Sequence, residues 1–214
     1  RSAEDAAIAL NVLAGYDPED PGSARSDKVD YMQGLDGGVR GLRIGVPREY
    51  VWDVIDPEME AAFRKAMTDL EEQGAVVEEI SLPELEWVPA IAAAMTTVEA
   101  ATLLGDLART RGDELDPSVL RRVQSGFFIS GETYVQAARA RVLFTRRMNA
   151  AFASVDLIAT PTVAMPAPPQ DAERMLVGGV DTAVREALLR DTRIFNVSRL
   201  PAVSMPNGFS SDGL

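Results

Sequence analysis

Cysteine and histidine are both missing from this sequence. Without cysteine there is no disulfide framework, no thiolate nucleophile and no thiolate metal site. Without histidine, neither a Ser-His-Asp triad nor an ordinary zinc site can be assembled. A carboxylate-only calcium or magnesium site stays open on composition, but no D-x-D-x-D-G loop occurs. Lysine is nearly absent too: Lys28 and Lys65 are the only two, so positive charge is almost all arginine. That bias reads as genome base composition, and Arg121-Arg122 and Arg146-Arg147 read as solvated helix faces. No apolar run reaches about 18 residues without a charge, so no membrane span is expected. The opening R-S-A-E-D-A-A lacks the basic region, apolar stretch and cleavage site of a signal peptide, and a cytoplasmic chain is the expectation.

What remains is ordinary for a globular chain: 46% hydrophobic and 25% charged residues over 214 positions. A chain of that length buries roughly 70% of its extended surface on folding. The net charge of -12 makes phosphate backbones and anionic lipids poor partners, so neither nucleic acid nor a membrane is expected.

Hydrophobic spacing and punctuation predict an α/β chain. Ser2 reads as the N-cap of a helix to Ala14, with Asp5 three residues on. Its run Ala6 to Leu13 is apolar on nearly every side, so it needs protein around it. Asp17 to Gly38 reads as a long acidic surface loop. Leu42 to Val46 reads as a strand. Asp56 and Pro57 start a helix with Met59, Phe63, Ala66, Met67 and Leu70 on one face, and Ala75 to Leu82 reads as a second strand. Strand, helix, strand is a βαβ unit with parallel strands. Further helices are predicted from Glu86 to Arg109, from Pro117, from Gly131 to Ala153 and from Thr182 to Arg193. Short strands are predicted at Asp156 to Thr160 and Ala202 to Met205. The closing turn from Phe209 to Leu214 leads into no further strand, so truncation is expected at that end as well as at the start.

Motifs with a mechanism are missing. There is no phosphate-binding glycine loop, no H-E-x-x-H and no G-x-S-x-G. Ser125-Gly126 and Ser130-Gly131 have no histidine or nearby lysine to activate a hydroxyl, and read as helix ends. Glu78 and Glu79 are adjacent on a strand, point to opposite faces and cannot pair.

Five strings in one order carry a resemblance. They are R-S-A-E-D-A-A-I-A-L-N-V-L-A-G-Y-D-P-E-D at the start, G-L-R-I-G-V-P-R-E from Gly41, Y-V-Q-A-A-R-A-R from Tyr134, D-L-I-A-T-P-T from Asp156 and T-R-I-F-N-V-S-R-L-P-A-V-S-M-P from Thr192. Together they resemble the C-terminal half of the amidase-signature family, over essentially residues 1–214 as one domain fragment. The resemblance implies a partial α/β/α sandwich with a mixed sheet. It implies hydrolysis of carboxamide C–N bonds by a Ser–cis-Ser–Lys arrangement, with no cofactor and no metal. The catalytic residues would precede Arg1, and Lys28 and Lys65 stand in the wrong places to supply the lysine. No catalytic residue is therefore carried over, and the chain alone is expected to be inactive.

By the same resemblance, Phe127, Phe128, Thr192, Ile194 and Phe195 are candidates for the wall of the substrate pocket; the aromatics also read as core. Arg122 is similar in position to an arginine that grips a substrate carboxylate in the glutamyl-tRNA amidotransferase branch, and also reads as a solvated helix arginine. That branch's acidic gripping residue is Leu189 here, with Asp191 two residues away, so a general amidase is favoured over an A-type amidotransferase subunit. The remaining alternative is a non-catalytic scaffold. A small-molecule amide is the expected substrate of the intact parent. Ile8, Leu10 and Leu13, left uncovered, are expected to drive self-association of the isolated chain.

Overall fold

The computed structural model describes residues 2–25, 27 and 29–213. Lys28 lies outside the described residues. Helix α1 (Ala3–Leu13) begins with the expected reciprocal cap. Asp5 N donates to Ser2 Oγ at 3.0 Å and Ser2 N donates to Asp5 Oδ2 at 3.1 Å, which satisfies two amides that a bare helix end leaves orphaned. Asn11 ties the long loop to this helix, donating to Asp30 Oδ1 and accepting from Tyr31 N. Only Ala7 of α1 is buried; Val12 and Leu13 are about 80% exposed, and Ile8 and Leu10 are exposed as well.

The βαβ unit forms as predicted. β1 (Arg43–Pro47) leads through α2 (Pro57–Glu72) to β2 (Val76–Ile80), and β1 and β2 pair in parallel. Pro57 opens α2 and the Asp56 carboxylate accepts from Glu58 N at 2.8 Å. Phe63 is the buried residue of α2; Met59, Ala66, Met67 and Leu70 on the same face are half-buried. β3 (Leu157–Ile158) joins the other side of β1, giving a three-stranded parallel sheet in the order β2-β1-β3. Arg43 clamps β1 to β3. Its side chain reaches both Asp156 oxygens at 2.7 and 3.2 Å, and its backbone N donates to the same carboxylate. These bonds hold the Asp156 carboxyl down to about 2.

A short 3-10 turn at Pro83–Trp87 runs into α3 (Val88–Thr110), followed by α4 (Pro117–Gly126) and α5 (Gly131–Ala151). Asp116 and Ser130 cap the last two through Ser118 N and Thr133 N. The main core gathers Leu85, Val88, Ile91 and Met95 with Phe144 and Met148 of α5 and Tyr50 and Val51 of the loop after β1. Helix α3 packs on both α4 and α5. Gly126 permits the α3–α4 crossing: a Cβ there would sit 2.3 Å from the Thr97 carbonyl oxygen. By length and composition alone, Pro83–Thr110 is apolar enough to cross a membrane, a property that a core helix shares, and here α3 lies between α4 and α5.

The C-terminal third departs from the sequence reading. Among the described residues, antiparallel pairing is confined to a separate hairpin, β4 (Arg174–Val177) with β5 (Val180–Ala183). Its two-residue turn is Gly178-Gly179 with φ of 59° and 83°, the left-handed backbone that a tight hairpin turn requires. Gly178 also lies against the loop after β1, where a Cβ would approach the Ile55 carbonyl oxygen to 2.4 Å. The helix predicted over Thr182 to Arg193 is therefore corrected to the end of β5, then α6 (Val184–Leu189), a break at Arg190-Asp191, and α7 (Thr192–Ser198). The strand predicted at Ala202 to Met205 is irregular and exposed. A strand needs a hydrogen-bonded neighbour, and the long-range tie among the described residues is a side-chain contact, Ser204 Oγ to Thr162 Oγ1 at 2.9 Å.

Candidate functional site

In parallel sheets ligands gather beyond the carboxyl ends of the strands. Here the loop Glu49 to Asp56 occupies that end of β1, and it is rigidly held. Trp52 Nε1 donates to the Pro47 carbonyl at 2.7 Å and Asp56 N donates to Ala164 O at 2.7 Å. The Glu49 carboxylate accepts from Ser81 Oγ at 2.7 Å and Leu82 N at 2.8 Å. Burial works against ionisation of Glu49, but the two hydrogen bonds win and hold its carboxyl below the ordinary value.

Helix α7 packs against α3 and α5 close to this loop, and Tyr50 shares a core with Ile194 and Val197. At the break before α7, Arg190 and Asp191 are both buried, a rare state for charged residues. The Arg190 guanidinium donates to the Tyr50 carbonyl and lies 4.3 Å from the centre of the Tyr50 ring. Its Nε is 3.5 Å from Asp191 Oδ1, beyond good hydrogen-bond range. Neither Asp191 oxygen has a hydrogen-bond partner among the described residues. Burial pushes the Asp191 carboxyl up to about 7, with Arg190 opposing the rise. Burial likewise raises the Tyr50 phenol.

The residues singled out from sequence fall in several places. Ile194 is fully buried and belongs to the core, not to an open wall. Phe195 is half-buried against that core. The Thr192 hydroxyl donates to Leu189 O at 3.1 Å. Phe127 lines a shallow cleft of about 290 Å³ between α3 and α4, with Gly105, Asp106 and Gly126. The Arg109 guanidinium lies 4.6 Å from the Phe127 ring centre and pairs with Asp106 at 2.7 Å. That cleft includes no residue of α7. Phe128 is 88% exposed. Arg122 is half-buried on α4; the basicity of Arg185 on α6 is depressed by partial desolvation first, then by the like charges of Arg122 and Arg193. Sequence reasoning missed Arg185, Arg190 and Tyr50. The signal available was an adjacent Arg-Asp pair inside an apolar-periodic stretch.

Hydrolytic machinery does not assemble among the described residues. Lys65 is on the exposed side of α2, bonded to Asp69 at 2.5 Å, and that bond raises its pKa and keeps it protonated. Ser125 and Ser198 donate to carbonyls of their own helices. Ser81 faces Glu49, which is too weak a base to activate it.

A model of the amidase family matches residues 1–214. An amidase of Pseudomonas putida is 34% identical over 215 residues, covering 100% of this chain and 46% of that protein. The A-type subunit of the glutamyl-tRNA(Gln) amidotransferase of Chloroflexus aggregans is 35% identical over 236 residues, covering 98% of this chain and 46% of that protein. The structure of 6-aminohexanoate cyclic dimer hydrolase superposes with a TM-score of 0.82 at 27% identity, over 100% of this chain and 48% of that one. The chain thus spans about half the length of the proteins it matches. With the match running through its whole length and relatives above 30% identity, the chain belongs to the amidase family.

Proposed function

We propose that this chain is the C-terminal half of a carboxamide hydrolase that works through a serine acyl-enzyme, and that it supplies structural support and one wall of the acyl pocket. The observation that carries the reading is the family match over residues 1–214 by a chain covering 46% of its Pseudomonas putida relative. The nucleophile, the bridging serine and the lysine base then belong to the other half. In the reaction the serine oxygen attacks the amide carbonyl and the amine leaves with a proton. Water then releases the acid and restores the hydroxyl. A general amidase is favoured. The Chloroflexus aggregans relative keeps an amidotransferase component in second place, and copurification of a second subunit with the parent would select it.

The parent gene, expressed with the coding sequence that precedes this chain, is expected to convert a simple amide plus hydroxylamine into a hydroxamate, the signature of a trapped acyl group. Activity should survive a chelator and rise with pH to a plateau, because a lysine base must be neutral. Activity lost in chelator and restored by zinc would sink the reading, as would turnover by the 214-residue chain alone.

Phe195 tests the pocket wall. Packed beside the core and making no bond to a reacting carbonyl, it contributes binding common to ground and transition states. In the parent, Phe195→Ala is expected to raise KM about ten-fold, roughly 1.4 kcal/mol, with kcat nearly unchanged and bulkier acyl groups accepted. Equal kinetics across a series of acyl sizes would return Phe195 to a packing role.

A further inference from the structure

The break between α6 and α7 brings together charges that no step of amide hydrolysis uses. Arg190 and Asp191 are adjacent in sequence and both buried, yet their ion pair is long, 3.5 Å from Nε to Oδ1, with no hydrogen bond between them. The guanidinium is committed elsewhere, to the Tyr50 carbonyl and the Tyr50 ring. Tyr50 has φ of 71°, a left-handed backbone that is costly for a bulky residue. Such a conformation persists only where its surroundings impose it, and Arg190 is the group gripping it. The same carbonyl accepts from Asp53 N at 3.2 Å, so it anchors the turn that carries Trp52.

We propose that Arg190, Asp191 and Tyr50 form a proton-controlled latch on the loop after β1. With Asp191 neutral, Arg190 holds the Tyr50 carbonyl and the loop is closed. With Asp191 ionised, the carboxylate draws Arg190 to itself and the loop loosens. The reason is competition for one donor. A buried carboxylate without hydrogen bonds is tolerable as the neutral acid and costly as the anion. Once ionised, it has one cation in reach, and that cation is already supporting Tyr50.

The surroundings isolate this exchange. Glu186 of α6 and Arg193 of α7 both act on the Tyr50 phenol, but they are bonded to each other. Glu49, beside Tyr50, is satisfied by Ser81 and Leu82. Helices α3 and α5 bring apolar side chains to this core, Met95, Phe144 and Met148. Among the described residues, Arg190 is the charge acting on Asp191. With that carboxyl pushed up to about 7, the exchange falls near neutral pH.

Trp52 reports on the loop: its ring meets Phe63 edge-on at 5.4 Å and its indole N–H is bonded to Pro47 O. In the 214-residue chain carrying Trp87→Phe, Trp52 emission is expected to titrate with a single midpoint near 7, shifting to the red as pH rises. Amide exchange at Val51 and Asp53, corrected for intrinsic pH dependence, should accelerate at least ten-fold between pH 5 and pH 9. Adding Asp191→Asn should abolish both changes and leave the loop closed throughout. A Trp52 signal flat from pH 5 to pH 9, or a titration that persists in Asp191→Asn, would overturn the latch. Should that variant not fold, carboxyl carbon spectra of the unsubstituted chain decide: one aspartate titrating near 7 supports the latch, and none above about 5 refutes it.

Discussion

Phe63→Ala is expected to lower the unfolding free energy by about 3–5 kcal/mol, the range for removing a large aromatic from a packed interior. The reason lies in how α2 is held. Phe63 is the buried residue of that helix, and its other apolar side chains are only half-buried. Its ring contacts Trp52, so the same substitution should also shift the Trp52 emission in the folded state. Urea denaturation with fluorescence and circular dichroism gives both quantities. A loss under about 1 kcal/mol would show that α2 does not rest on this face.

Asp191→Asn is expected to stabilise the chain at pH 8, an uncommon outcome for a core substitution. A carboxyl that moves from an ordinary 3.8 to about 7 on folding binds its proton more tightly in the native state. Its contribution is therefore fully present below pH 3.8 and is lost as pH rises through 7. At pH 8 the forfeited stability approaches about 4 kcal/mol, and replacing the acid with a neutral amide of the same shape should recover about 2–4 kcal/mol of it. At pH 4 the two chains should differ little. Unfolding curves across pH 4 to 9 provide the check; an Asn variant less stable than its parent at pH 8 would show that the carboxylate is charged and well served in the fold. The Asp156 carboxyl has the opposite linkage. Held down to about 2 by Arg43, it contributes stability that is lost as pH falls from 3.8 through 2, so the two effects act in separate windows.

Elements that announce themselves through local chemistry are legible in the sequence. Ser2 with Asp5 and Asp56 with Pro57 mark helix starts, because a capping side chain acts within three residues of itself. The β1–α2–β2 unit follows from a change in hydrophobic period, and Phe63 from its place on the apolar face. The C-terminal third is harder to read because local signals compete there. Gly178-Gly179 is a hairpin turn in plain view, yet Thr182 to Arg193 carries a helical pattern that masks the second strand of the hairpin. Ala202 to Met205 has the composition of a strand but no hydrogen-bonded strand neighbour among the described residues.

The sequence by itself determined part of the chemistry this chain lacks: with no histidine and no cysteine, neither a histidine-based triad nor a thiolate nucleophile can be built from it. It also determined the order of the first helices and strands, and the five strings that carry the family resemblance. The tertiary structure alone decided what the candidate residues do. Ile194 and Phe195 are neighbours in a single motif, yet one is fully buried and the other half-buried, because a helix turns about 100° per residue. Arg190 and Asp191 look like an ordinary adjacent ion pair. Folding separates their roles by presenting Arg190 with the carbonyl and ring of Tyr50, 140 residues away, while sealing Asp191 from water. No local pattern encodes that meeting, because burial and long-range contact are properties of the packed chain.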